Sequence, residues 1–220
     1  MAKDLNLLFD YNKLKPIIYR QIDITKLSNN PITDKEDWCS KEFSSLKRNF
    51  RYQHYKKQKR RCTYCRRILN PLGINEHIDH LVARSIRKGW MFKPRNLVLT
   101  CYQCNTQKSA APILPSGLRF KRLPKQPNNY TLFNPYVHKW SEHFEMEDDL
   151  FLKARSIEGQ NTIRELKLFD YKYSLKYAEE VNIFGDTAIK RATKRLTIFP
   201  KNSIEYKSAT KLIGEIERHI

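Results

Sequence analysis

The stretch Glu76-His-Ile-Asp-His80 puts two carboxylates and two histidines in five residues, and Leu81-Val-Ala-Arg-Ser85 follows it. Taken alone, such a cluster is satisfied by a polar turn and needs no function. Its flanks decide the matter.

Four of the five cysteines fall in two pairs around it, Cys62-Thr-Tyr-Cys65 and Cys101-Tyr-Gln-Cys104, with 35 residues between the pairs. Two Cys-x-x-Cys knuckles set four thiolates around one tetrahedral ion, and zinc suits that donor set. The start of the chain lacks the charged, apolar and small-residue pattern of a signal peptide, so a reduced, cytoplasmic setting is expected and a disulfide framework is not. Cys39, left over, is expected to be a small buried apolar residue. The knuckles close residues 66–100 into a loop containing the polar cluster. Residues 74–82, with Ile74, Ile78, Leu81 and Val82, form one expected strand, and Asn96-Leu-Val-Leu-Thr100 the second. Residues 102–111 form a helix that stops before Pro112.

The net charge of +19 is concentrated rather than spread. Residues 43–125 carry 20 Lys and Arg against two acids, Glu76 and Asp79, both inside the opening stretch. A basic block of this kind predicts a polyphosphate partner. The two acids at its centre suggest a metal ion shared with the phosphates. With 220 residues, 40% hydrophobic and 30% charged, the chain fits a globular protein. No apolar run approaches the roughly 18 residues needed to cross a bilayer, so no membrane partner is expected.

The series C-x-x-C, H-I-D-H-L-V and R-N-L-V-L-T-C-Y-Q-C-N-T-Q-K, over residues 61–112, resembles the HNH endonucleases and their ββα-metal fold. The resemblance implies His80 as general base, Asp79 and Asn105 as ligands of a catalytic magnesium or manganese, and Asn96 as the brace of the active-site loop. It implies zinc at Cys62, Cys65, Cys101 and Cys104, and DNA as the favoured substrate. Ala83 stands where many relatives have proline. His77 occupies a variable position, open to a third metal ligand, a phosphate contact or a polar strand residue, of which the last two are favoured. The expected fold class is therefore α+β, a small zinc-stapled ββα-metal nuclease core with mainly helical flanks.

The chemistry asks for the same residue types without the name. Hydrolysis of a phosphodiester needs a base near neutral pH, which an imidazole supplies. It also needs a hard cation held by oxygen ligands, such as a carboxylate and an amide. Neighbouring strand residues point to opposite faces, so Asp79 and His80 share a site only if the strand ends or bends there. The competing readings are a zinc-stabilised nucleic-acid-binding module without catalysis, and an HNH nuclease that cuts RNA.

The flanks divide the rest of the chain. Residues 1–60 form an expected helical arm, in which Thr33-Asp-Lys-Glu36 is a capping box ahead of Trp38, Phe43, Leu46 and Phe50. Its basic, aromatic end suits a nucleic-acid backbone. The expected contacts are Lys56, Lys57, Lys59, Arg60 and Arg61, joined by Arg84 and Lys108. Residues 113–135 are a proline-rich linker or wrap, and 136–220 are expected to be helical. There Thr162 caps a first helix through Tyr177, a second spans Asp186–Ile198, and a third starts at Ser203 and carries Ile204, Leu212, Ile213, Ile216 and Ile220. The runs at residues 133–144 (F-N-P-Y-V-H-K-W-S-E-H-F) and 159–168 (G-Q-N-T-I-R-E-L-K-L) resemble the tails of HNH proteins in bacterial antiphage systems of the Septu and retron-associated types. That likeness implies an ATPase partner.

Overall fold

The computed structural model describes residues 5–69, 76–117, 120–183 and 185–218, apart from the Leu7 side chain. In chain order the elements are α1 (Leu5–Phe9), α2 (Gln21–Asn29), α3 (Ser44–Lys57), β1 (Glu76–His80), β2 (Leu97–Cys101), α4 (Tyr102–Lys108), α5 (Trp140–His143), β3 (Phe144–Glu147), β4 (Phe151–Ala154), α6 (Ile157–Glu165), α7 (Tyr171–Val181), α8 (Asp186–Ile198) and α9 (Ile204–Glu217). None of the described helices is long and apolar enough to cross a membrane. Two compact units result, Tyr11–Lys139, and Met1–Asp10 with Trp140–Ile220.

In the unit Tyr11–Lys139, β1 and β2 pair antiparallel, with Asp79 opposite Val98 and His80 opposite Leu97. All five residues of β2 are buried, so this strand is covered on both faces. β1 ends at His80, where a shared Asp79–His80 site requires it to end. Ile74, expected in this strand, lies outside the described residues. α4 follows β2 directly. The Sγ of Cys101 accepts the Cys104 backbone N–H at 3.4 Å and so caps that helix.

α3 buries Leu46, Phe50 and His54, one residue per helical turn. At its end Gln58 clasps the sheet. Its Oε1 accepts the Leu99 N–H at 2.9 Å, and its Nε2 donates to the Leu99 carbonyl at 2.8 Å. Phe43 and Leu46 pack with Met91 and Phe92, and Trp38 closes over them.

The start of this arm corrects the sequence reading. The cap is Asp34, whose carboxylate accepts from Glu36 N, while Asp37 accepts from the Asp34 N–H at 2.9 Å. A carboxylate at each of these positions outcompetes the Thr33 and Glu36 pair. Lys35–Cys39 is then a 3₁₀ turn, and Ser40 recaps the chain before α3. Cys39 is exposed rather than buried, because this short turn does not carry it into the core.

The second unit was expected to be helical and also holds a β-hairpin, β3 paired with β4. Its aromatic core joins Phe9 to Trp140 (ring centroids 5.8 Å) and to Tyr177 (5.5 Å). The single helix expected from Thr162 is instead two. Ser156 caps α6 through Gly159 N, Asp170 caps α7, and Lys167 between them has φ of +51°. Thr162 sits buried within α6, its hydroxyl donating to the Glu158 carbonyl at 2.7 Å. Gly159 lies where a Cβ would collide with the His143 carbonyl. The Gly-Gln-Asn-Thr run thus has a packing role. α8 keeps the expected limits, and Ser203 caps α9, which buries Ala209, Leu212 and Ile216. Ile220 lies outside the described residues.

Candidate active site and metal centre

The two knuckles converge. The Sγ atoms of Cys62, Cys65, Cys101 and Cys104 all lie within 4.8 Å of one another, and all four residues are buried. Cys65 and Cys101 sulfurs are 3.8 Å apart. That is too far for a disulfide, and it equals the edge of a tetrahedron with metal–sulfur bonds of about 2.3 Å. The four cysteines are positioned to bind a metal ion. Arg67 donates to Cys101 Sγ at 3.4 Å. The neighbouring thiols, with Arg67, hold the Cys101 pKa down, whereas burial pushes Cys62 and Cys104 up.

Each knuckle also sends one side chain to Asp79. Tyr64, inside the first pair, donates its hydroxyl to Asp79 Oδ2 at 3.0 Å. Lys108, on the helix that begins in the second pair, donates to Asp79 Oδ1 at 3.1 Å and to the His80 carbonyl at 2.7 Å. Tyr64 and Lys108 are both buried. Burial raises the Asp79 pKa, and Lys108 and then Tyr64 draw it back without cancelling the rise.

His80 Nε2 lies 3.1 Å from the Met91 carbonyl. A carbonyl only accepts, so Nε2 carries the hydrogen of the neutral ring and Nδ1 keeps its lone pair. Nδ1 has no hydrogen-bond partner among the described residues. Trp38 meets the ring edge-on with centroids 4.4 Å apart. Burial, then Arg84 and Lys108, push the His80 pKa down to about 3. The ring is neutral through the physiological range.

Asn96 is fully buried and ties the loop after β1 together. Its Oδ1 accepts from Val82 N at 2.8 Å, and its Nδ2 donates to the carbonyls of Val82 (3.0 Å) and Trp90 (3.1 Å). Asn105 stands three residues before Lys108, hence on the same helix face. Its side chain has no hydrogen-bond partner among the described residues. His77 packs beside the Tyr102 ring at 5.4 Å.

Residues 62–111 match the HNH endonuclease family. This HNH segment includes all four cysteines and His77, Asp79, His80, Asn96 and Asn105, and the match points to nuclease activity on nucleic acids. Comparisons with curated proteins and with solved structures gave no match.

The expected backbone contacts divide. Arg61 and Lys108 are buried and bound to protein groups, Arg61 to the Arg66 carbonyl at 2.8 Å. Arg84 reaches the Lys35 carbonyl at 2.7 Å. Lys56, Lys59 and Arg60 are exposed and Lys57 is half-buried. Tyr64, Lys108, Trp38 and Met91 were not assigned these places from the sequence. A tyrosine between two cysteines and a lysine three residues past Asn105 carry a usable signal, since each sits at a fixed offset from a fixed turn. Trp38 and the Met91 carbonyl carry none.

Proposed function

We propose that the chain is a metal-dependent endonuclease that hydrolyses phosphodiester bonds, with DNA the favoured substrate. The observation that carries this is His80. Its Nε2 is committed to the Met91 carbonyl, and Nδ1 keeps its lone pair with no hydrogen-bond partner among the described residues, next in sequence to buried Asp79. An imidazole nitrogen left with its lone pair is suited to take a proton from water.

The donor set fits a catalytic magnesium or manganese. Asp79 accepts from Tyr64 at Oδ2 and from Lys108 at Oδ1, a carboxylate oxygen has lone pairs for more than one partner, and Asn105 offers an amide oxygen. Asp79 and Asn105 would hold the ion, which when bound supplies positive charge against the phosphate oxygens and the departing 3′ oxygen. The chain's own groups do the rest. Nδ1 of His80 takes a proton from water as the water oxygen bonds to phosphorus and the P–O3′ bond breaks. The leaving oxygen is protonated from solvent. Asn96 keeps the loop that presents Met91 in place, and the cysteine site, read as structural zinc, fixes the Glu76–Cys101 end of the sheet that carries Asp79.

A defence role follows only from the likeness of residues 133–144 and 159–168 to antiphage HNH tails, and with it an ATPase partner. The test of the main proposal is incubation of the chain with plasmid, single-stranded DNA and RNA, with and without magnesium or manganese. Metal-dependent cleavage of DNA supports it. Cleavage of RNA alone selects the RNA nuclease, and binding without cleavage by any metal selects the inert module.

A further inference from the structure

The cations of the unit Tyr11–Lys139 differ in what they hold. At the end of α3, Lys56 reaches the Tyr52 hydroxyl at 2.8 Å and Arg60 the Tyr55 hydroxyl at 3.2 Å. Lys57 reaches the carbonyls of Lys15 and Pro16 at 3.1 and 3.0 Å. Each of these three already donates to a protein oxygen.

Lys93, Arg95, Lys121 and Arg122 are different. They line one cavity of about 460 Å³ with Trp90, Pro94 and Leu123. None of the four forms an ion pair or a side-chain hydrogen bond with the described residues, and no acid is among the described residues that line the cavity. Lys93, Lys121 and Arg122 are exposed and Arg95 is half-buried. Four like charges around one volume repel each other, and a polyanion offsets that repulsion. The volume lies in the range of small-ligand pockets, roughly 300–1,000 Å³.

Its position links it to the candidate active site. One wall is the loop that holds the proposed base, for Met91 accepts from His80 Nε2 and Trp90 accepts from Asn96 Nδ2. The other wall, residues 121–123, lies in the proline-rich segment, outside the part that matches the HNH family.

We propose that this cavity binds the phosphodiester backbone of the nucleic-acid substrate beside the bond that is cut. The proposal rests on the nuclease reading and adds to it a clamp supplied by the wrap of this chain. The proline-rich segment is then part of the binding surface rather than a spacer.

The experiment uses the full chain with His80→Ala, which holds a strand without cutting it, and labelled single-stranded DNA, duplex DNA and RNA over a range of salt. In that background the pair Lys121→Gln/Arg122→Gln should weaken binding about tenfold at low salt. It should also flatten the salt slope by about 0.9 per lost contact on duplex, or 0.7 on single strands. Lys93→Gln/Arg95→Gln should do the same. The charge-conserving pair Lys121→Arg/Arg122→Lys should keep the parent's slope, which separates lost charge from lost fold. Lys56→Gln/Lys57→Gln should change the slope less than either cavity pair. If the parent binds and both cavity pairs bind as it does, or the arm pair costs more, the cavity is not the clamp. If the parent binds no probe in a salt-dependent way, the nuclease reading falls with it.

Discussion

The ammonium of Lys108 lies 3.1 Å from Asp79 Oδ1, with both side chains buried. A buried carboxylate that loses its cation is costly, about 3–5 kcal/mol in comparable pairs. Lys108→Met should therefore lower the thermal midpoint without removing the ion at the cysteines. A divalent cation bound at Asp79 would replace the missing charge, so manganese should raise the midpoint of the variant more than that of the parent. Equal manganese shifts in the two proteins would show that Asp79 does not hold the ion.

The four sulfurs predict one tightly held zinc per chain, measurable by elemental analysis. Replacing Cys65 or Cys104 by Ser should release the ion and unfold the HNH segment, because ion binding and folding are linked at such sites. Tyr64→Phe should keep the zinc and cost about 1–3 kcal/mol through the lost donor to buried Asp79. Zinc-free protein that retains its fold would overturn this account of the cysteines.

Asn96→Ala removes three hydrogen bonds from inside the loop and leaves buried backbone groups of Val82 and Trp90 without them. Cleavage should fall while zinc content stays at one per chain. Proteolysis within residues 81–95 should quicken, which limited digestion and mass spectrometry would show.

His54 supplies a pH effect away from the reacting groups. Burial pushes its pKa down to about 4, and it bonds to Gln58 at 3.1 Å and to Tyr136 at 3.2 Å. Its value is depressed on folding, so between its ordinary 6.5 and about 4 the unfolded chain binds the extra proton. Stability is then present above pH 6.5 and is lost as pH falls toward 4, by about 3 kcal/mol at most. His54→Gln should flatten the decline of the thermal midpoint over that window relative to the parent. Parallel declines would show that His54 is not buried as a neutral ring.

The HNH segment was legible because its signals are local and chemical. Cysteine spacing, alternating apolar residues and Pro112 are each read within a few positions. The capping residue was missed for the opposite reason. Thr33, Asp34, Glu36 and Asp37 all offer capping oxygens, and only the backbone path selects Asp34. The hairpin β3–β4 escaped because its strands are four residues each, too short for a periodic pattern to stand out from a helical one. Lys108 is expected from the sequence to contact the nucleic-acid backbone. It is instead buried against Asp79, 29 residues away, and although its offset from Asn105 is a local signal, the partner itself is set by the packing of α4 on β1.

The central claim is that His80 removes the proton from the attacking water. The direct measurement is the rate of plasmid nicking by His80→Ala and parent protein in magnesium, with zinc content and affinity for uncut DNA determined on the same samples. The account predicts a loss of roughly 10²–10⁴-fold in rate with zinc and affinity unchanged. A variant that nicks within a few fold of the parent would contradict it.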